Sequence, residues 1–472
     1  MNLLEATVFS VWMLTTLSAC VYSLNFYLLL WFNRRVKLHT STYQNKNLPF
    51  VSIHIPVYNE NGVVEDTLKA CLNLDYPKNL LEIIIVDDST DETTSILRRY
   101  AEKHPSVIKL IHREERRGYK AGALQTALEI SKGELIAVFD ADTVPPGDFL
   151  KKTVKYFQVD KKVAFVQGRL ESIGEMRSWI TEAASIIHWF YRVFTQSVLF
   201  KGGLFIASVG SGVVYRRIAL DEVGGWSWDT LAEDLDMSYR LQMKGWVGVF
   251  DESVVCRDRA PTSLRAFRTQ YNRHVKGPVQ NLKKHLLPLL FNKKISIFKR
   301  LEATLQLSAP LAFLMGQVSL LSGTLFYLVT PSRDIVSFWH STLGVTVSVV
   351  LMVSFAAPLL AYVYGLRIGR LKKLSCLFMV GFILTDYLLL GSKSILETML
   401  KKGSTWTRTP KTSLQQEDAE VSFSDFSDLI LRASTSFVML TLTLIEVERG
   451  LLAYSLGFLI PPLCWLTSAV IE

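Results

Sequence analysis

Four groups of residues in this sequence have the types and spacing to do chemistry together. Asp140-Ala141-Asp142 follows an apolar run at 135–139, so two carboxylates meet near one strand-to-loop turn. A hard divalent cation such as Mg²⁺ or Mn²⁺ takes oxygen ligands and shares them with substrate phosphates. The pair suits that use, and it equally suits capping a turn. Asp87-Asp88 ends an earlier apolar run. There the acids either hold a nucleotide's base and ribose or, with Ser89, cap the next helix. Glu233-Asp234 opens an amphipathic segment running to Lys244. Acids in a first helical turn are favoured by the macrodipole, and Asp234 is also a candidate general base for an acceptor hydroxyl. Gln270-Tyr271-Asn272-Arg273-His274 lies in a basic stretch with Arg265, Arg268 and Lys276. Its flanking cations read as a face toward lipid headgroups, and Arg273 as a clamp for a diphosphate leaving group.

These groups need elements to hold them. Between Pro49 and Asp142, apolar runs at 50–57, 82–86, 107–111 and 135–139 alternate with helical patterns ending near Leu72, Lys103 and Ile130. Such alternation predicts an α/β fold with a parallel sheet, whose ligands bind beyond the carboxyl ends of the strands. The acids stand at those ends. The following stretch shows no regular pattern until Leu301.

Composition accounts for the rest of the chain. Its 472 residues are 49% hydrophobic and only 20% charged, which excludes a disordered protein and an ordinary soluble enzyme. Apolar stretches at 7–32, 301–330, 340–364, 426–445 and 451–471 are long enough to span a bilayer. A shorter run at 374–390 is interrupted by Asp386 and is expected to lie in the interface or re-enter. Arg34, Arg35 and Lys37 follow the first stretch, and Arg367, Arg370, Lys372 and Lys373 the third. The positive-inside rule then predicts five spans, an external N-terminus, and a cytoplasmic catalytic domain and C-terminus. The net charge of +9 fits anionic lipid or phosphate-bearing substrates. No nucleic-acid motif is present, so nucleic acid is not an expected partner. The five cysteines are scattered without CxxC, and no HExxH occurs, which leaves carboxylates as metal ligands.

In order, Asp87-Asp88, Asp140-Ala141-Asp142, Ala232-Glu233-Asp234 and Gln270-x-x-Arg273-His274 resemble the DD, DxD, TED and QxxRW motifs of glycosyltransferase family 2. The resemblance is to its membrane-integrated branch, which includes cellulose synthase, hyaluronan synthase and the cellulose-synthase-like A mannan synthases. Gly118-Tyr119-Lys120-Ala121-Gly122-Ala123-Leu124 resembles the family's KAGxLN segment, and Ser208-Val209-Gly210-Ser211-Gly212 its glycine-rich acceptor-side loop. The likeness is strongest over 51–280. It implies a transmembrane helix and basic flank at 1–48 and a GT-A catalytic domain at 49–280. It further implies an interfacial helix region at 281–300 and a C-terminal membrane region at 301–472.

The same resemblance implies residue roles. Asp87 and Asp88 contact the nucleotide, Asp140 and Asp142 serve nucleotide and metal, and Lys120 lies near the donor phosphates. Gln270 and Arg273 lie near acceptor and diphosphate. Asp234 is the base, with Glu233, Gly210 and His274 on the acceptor side. Ala232 replaces a Thr, and His274 replaces the Trp that supports the acceptor sugar in polymer synthases. Trp406-Thr407-Arg408-Thr409-Pro410-Lys411 resembles the FxVTxK gating loop, which places a gate near 392–415 with Trp406, Thr409 and Lys411 over the nucleotide. A solvated basic loop is the plainer reading. His188-Trp189-Phe190-Tyr191 and Phe194 suit either an amphipathic helix at the membrane boundary or core packing.

The implied activity is inverting transfer from a nucleoside-diphosphate sugar, UDP before GDP, to a growing β-glucan or β-mannan. The alternatives are transfer of one sugar to a lipid acceptor, such as a polyprenyl phosphate or glycolipid, and a non-catalytic membrane scaffold or transporter.

Overall fold

The computed structural model describes residues 2–33, 47–173, 179–259, 261, 264–367, 376–400, 423–451, 460–465 and 467. Seven strands form one sheet: β1 (Val51–Val57), β2 (Leu81–Asp87), β3 (Ile108–His112), β4 (Leu135–Val138), β5 (Val163–Ile173), β6 (Val213–Arg216) and β7 (Val247–Arg259). Their order is β3-β2-β1-β4-β6-β5-β7. β6 runs antiparallel to both neighbours, β4 and β5, while all other pairs are parallel. The expected parallel sheet is thus a mixed, mostly parallel one, extended by three strands from the stretch where no pattern was read.

The central strands are buried on both faces because helices cover both. On one side α2 (Val64–Leu72), α3 (Thr93–Lys103) and α5 (Phe149–Val159) bury Leu68, Leu97 and Phe149 against Ile53, Ile83 and Val166. On the other, α4 (Tyr119–Ile130), α7 (Gln196–Lys201), α8 (Arg217–Glu222) and α9 (Glu233–Met243) bury Leu124, Leu199, Leu220 and Met237 against Phe165 and Tyr215. The polar residues of β1 find partners inside: Ser52 Oγ donates to Glu82 (2.6 Å), and His54 bonds Ser131 Oγ through Nε2 (2.6 Å), leaving its Nδ1 without one among the described residues. Strand order reverses at β1, between β2 and β4, which marks a binding crevice at the carboxyl ends.

Between β5 and α7 the chain forms α6 (Trp179–Trp189) and a π-helical turn, Phe190–Thr195. Phe190 stacks on Tyr362 at 4.0 Å and packs against Phe26, so much of this aromatic segment is core. After α7 an irregular strip crosses the sheet end. Buried glutamines fix it: Gln242, Gln196 and Gln167 accept the N–H groups of Ile206, Ala207 and Val209. An unpaired buried N–H is costly, so these side chains stand in for a missing strand partner.

The remaining helices are α1 (Leu3–Asn33), α10 (Leu264–Leu290), α11 (Ile297–Ser308), α12 (Leu311–Val329), α13 (Ser332–His340), α14 (Thr342–Arg367), α15 (Cys376–Leu400) and α16 (Phe423–Glu448). Among the described residues four helices are long and apolar enough to cross a bilayer: Leu3–Phe32, Leu311–Val329, Thr342–Val363 and Ser427–Glu448. That is the build of a multi-pass membrane protein. The expected span at 301–330 is divided, with α11 ending before Pro310 and α12 starting after it. Proline has no N–H to donate and its ring crowds the preceding turn, so the helix breaks there. α10 runs through position 280, where a domain boundary was expected. Most of the stretch expected to span at 451–471 lies outside the described residues, as do 401–422 with Trp406, Thr409 and Lys411.

α15 covers the run expected to be interfacial and is not one of the four spans. Asp386, the residue that spoke against depth in the membrane, is buried and paired with Arg268 of α10 at 2.8 Å. Its charge is therefore met by protein rather than by lipid.

Candidate active site

β2, β4 and α9 deliver their acids to the same edge of the sheet, and α4 and α10 add cations. Lys120, in the first turn of α4, is the hub. Its ammonium lies 2.7 Å from Asp140 Oδ1 and 3.4 Å from Glu233 Oε1, and donates to the Gly210 carbonyl at 2.9 Å. Burial alone would lower its pKa. Asp140, Glu233 and Asp234 outweigh that and raise it, so Lys120 stays charged. Gly210 has φ +80°, and a Cβ there would lie 2.9 Å from both Asp234 Oδ2 and Lys120 Nζ. Only glycine fits over the Lys120–Asp234 pair.

Asp234 sits in the first turn of α9, with Oδ1 accepting the Leu235 N–H at 2.8 Å. Burial, then the charge of Glu233, lifts its pKa from 3.8 to about 7, against the opposing pull of Lys120. A carboxyl poised there exchanges protons near neutral pH, as a general base must. Arg273 of α10 is half-buried. Desolvation lowers its pKa, while Glu233, Asp140 and Asp234 counter the shift. Three carboxyl groups therefore surround two cations, a net charge of −1 when Asp234 is ionised and before Asp142 is counted.

Asp142 is 5% exposed and Asp140 far more open, so the two acids of the DxD have different environments. Ser211 Oγ accepts the Asp140 N–H (2.8 Å) and donates to Thr143 (2.7 Å), which ties the glycine-rich loop to the DxD turn. No group of three or more His, Cys, Asp or Glu able to cage a metal occurs among the described residues. The donor set still fits Mg²⁺ or Mn²⁺. Such ions use one or two carboxylates plus substrate phosphates, and an anionic diphosphate entering a net-negative site needs added positive charge.

The DD pair is committed to protein contacts. Asp87, fully buried, accepts from Ser89 N–H (2.9 Å) and Thr94 Oγ1 (2.7 Å) and pairs with His112 (2.8 Å). Asp88 takes a two-pronged contact from Arg113, at 2.7 Å from Nε and 2.6 Å from the terminal nitrogen. Arg116 lies over the Tyr58 ring at 3.5 Å. Asn59 (φ 54°) joins its loop to the next by accepting the Thr90 N–H at 2.8 Å. These groups frame the crevice beside β1 at the level of the DD pair.

On α10, Gln270 is buried beside His188, and the His188 and His274 rings lie 6.1 Å apart. Burial and then Arg192 push the His188 pKa well below 6.5, so it is neutral.

Sequence reading missed several residues at this site. Asp236 is fully buried and meets His285 (2.8 Å), Lys284 (2.7 Å) and Arg240 (2.7 Å). Burial alone would raise its pKa, yet these partners bring it down to about 2. With Gln280 accepting the Leu231 N–H (2.7 Å) and Asn281 donating to the Ala232 carbonyl (3.2 Å), this contact fastens the Asp234 turn to α10. No local signal announces it. Tyr191, read from sequence only as part of an aromatic segment, has its pKa raised to about 12, first by desolvation and then by Asp234. Trp228, 49% exposed, lies beside Lys120 and Glu233; an aromatic five residues before an acidic motif was a usable clue.

A mixed sheet of this order with a DxD turn, a lysine hub and a raised-pKa carboxyl defines a GT-A-like glycosyltransferase domain. Residues 52–224 match the family model of glycosyl transferase family 2. It is similar to glucomannan 4-beta-mannosyltransferase 1 of Oryza sativa subsp. japonica, 32% identical over 262 residues, covering 54% of this chain and 50% of that protein. Glucomannan 4-beta-mannosyltransferase 9 of Arabidopsis thaliana is 31% identical over 266 residues, covering 55% and 50%. The chain thus spans about half the length of these curated relatives. Among solved structures it resembles a mannosyltransferase from Pyrobaculum calidifontis in complex with GDP-Man and Mn²⁺. That match is 25% identical with a TM-score of 0.53 and covers 76% of this chain and 98% of the other.

Proposed function

We propose that this protein is an inverting, membrane-embedded mannosyltransferase. It moves mannose from GDP-mannose to a growing β-linked mannan or glucomannan. The carrying observation is the convergence of Lys120, Asp140, Glu233, Arg273 and Asp234 at one end of the sheet, with Asp234 at a pKa of about 7. The mannosyl donor rests on the named relatives and departs from the UDP sugar expected above.

Asp234 takes the proton of the acceptor hydroxyl as that oxygen attacks the anomeric carbon from the side opposite the diphosphate. One displacement inverts the centre, so an α-linked donor yields a β-linked product. Lys120 and Arg273 offset the charge growing on the departing diphosphate. Asp140 and Asp142 would hold Mg²⁺ or Mn²⁺, which when bound adds Lewis-acid charge at the phosphates. The frame of Asp88, Arg113, Arg116, Tyr58 and Asn59 receives the nucleoside. The catalytic domain faces the cytoplasm, following the basic residues after the first apolar helix.

A second reading, transfer of one sugar to a lipid acceptor, is favoured by His274. An imidazole offers a sugar ring less stacking area than the indole of polymer synthases. The deciding experiment incubates membranes with labelled GDP-mannose, GDP-glucose, UDP-glucose and UDP-N-acetylglucosamine. Long β-mannanase-sensitive chains from GDP-mannose are expected. A single sugar on an organic-extractable lipid would decide for the second reading, and labelling only from a UDP sugar would overturn the donor.

A further inference from the structure

We propose that Trp228 and the cavity beside it form a hexose subsite that grips one pyranose ring of a substrate. The proposal rests on the transferase reading above and extends it to a residue outside the four motifs. The cavity is about 200 Å³, and Trp228, Lys120, Glu233, Thr230 and Gln280 line it. Drug-sized ligands occupy pockets of roughly 300–1,000 Å³, so this one suits a single sugar ring.

Its chemistry is that of carbohydrate recognition. A pyranose presents a C–H face and a rim of hydroxyls, and needs an aromatic plane with convergent donors and acceptors. Trp228 offers the plane. Two residues earlier, Trp226 is 4% exposed and packs edge-on to Tyr215 at 5.4 Å, whereas Trp228 is 49% exposed. An indole left open costs hydrophobic free energy unless something covers it in use.

The indole is also held in place. A Cβ on Gly118 would lie 2.9 Å from Trp228 Cδ2, so the backbone turn backs one part of the ring. Arg117 flanks it at 6.0 Å. Its neighbour Asp229 accepts from Lys284 Nζ (2.8 Å) and Ser227 Oγ (2.6 Å), and Gln280 holds Leu231. The loop carrying Trp228 is thus pinned to α10 on its far side. Lys120, which also contacts Asp140, closes the inner end, so a ring seated here adjoins the reacting groups.

The hexose belongs either to the donor or to the terminus of the glycan acceptor, and binding distinguishes the two. The test titrates the purified full chain with GDP, GDP-mannose and mannohexaose, each in the presence of Mn²⁺. Trp228→Ala should weaken GDP-mannose or mannohexaose about tenfold and leave GDP unchanged. Trp228→Phe should keep most of the affinity. Trp228→Leu, which retains apolar bulk without an aromatic face, should behave like alanine, and all variants should unfold at the wild-type temperature. Unchanged affinity for all three ligands, or equal loss for GDP, would overturn the subsite. Wild-type protein that binds these sugars yet transfers none would instead defeat the transferase reading and leave the subsite standing.

Discussion

Replacing Glu233 with glutamine should move the pH dependence of transfer toward acid. The base must be ionised to act, so activity is present above its pKa and is lost as pH falls through it. Burial and then the Glu233 charge raise Asp234 to about 7. At that value about half the carboxyl is ionised at pH 7 and about a tenth at pH 6. The wild-type kcat/KM should therefore fall about fivefold across that unit, and about tenfold more by pH 5. An aspartate at its ordinary 3.8 would show almost no fall over the same range. A charge within bonding distance of a carboxyl moves its pKa by about 1–3 units. Losing the Glu233 charge should shift the acid limb down by about one unit and flatten the profile between pH 6 and 7. Lys120→Met removes the opposing cation and should shift the limb the other way, at a lower rate. The assay is labelled-sugar transfer by membranes from pH 5 to 9 at saturating divalent cation. Because kcat/KM reports the free enzyme, its acid limb follows the ionisation of Asp234 with the cation present. An acid limb unmoved by Glu233→Gln, or moved toward alkali, would remove Asp234 from the role of base.

Chelation should abolish transfer, and Mg²⁺ or Mn²⁺ should restore it; Asp142→Ala should lose metal-dependent nucleotide binding in calorimetry, and full activity in excess chelator would show the DxD to be structural. Asp236→Ala strands Lys284, His285 and Arg240 around an empty place. Breaking such a buried pair costs about 3–5 kcal/mol, so the thermal midpoint and kcat should both fall; a wild-type midpoint would show that the turn needs no such fastening. His274→Trp should lengthen products if stacking limits chain growth, and an unchanged size distribution would exclude that cause. A cysteine at Ser404 in a cysteine-free background should resist impermeant thiol reagents in intact cells, and its labelling would refute the cytoplasmic placement of 392–415.

Legibility in the sequence followed locality. β1, β2 and β4 are short, largely apolar and bounded by turns, so their positions and the acids at their ends could be read directly. β6 has four residues, and β5 and β7 pair with register shifts around Gly168, so neither shows a clean period. The irregular strip at 206–209 depends on glutamines from three different elements, which no local pattern encodes. Asp140, Glu233 and Asp234 were legible as acids near element ends. Their meeting at Lys120 is a tertiary fact that only the ordered motifs anticipated. Asp236 is held by Arg240 one turn on, and also by residues 48 and 49 positions later, which lie beyond any periodic signal. The break at Pro310 was legible in principle, since proline interrupts a helix wherever its ring meets the preceding turn.

α10 has two occupied faces. One carries Gln280, Lys284 and His285 against the Asp234 turn. The other carries Arg268, Asn272 and Lys276, which meet Asp386 (2.8 Å), Ser394 (2.6 Å) and Glu397 (2.8 Å) of α15. Modularity is the casualty. A fragment cut after the sheet would lose the clasp on its Asp234 turn, and a chimera joined anywhere between α9 and α15 would pair a helix with a stranger's partner. Exchange between relatives should therefore succeed only when these three helices travel as one inherited block. Bilayer thickness, by tilting the apolar helices packed beside them, becomes a variable that the chemistry can feel.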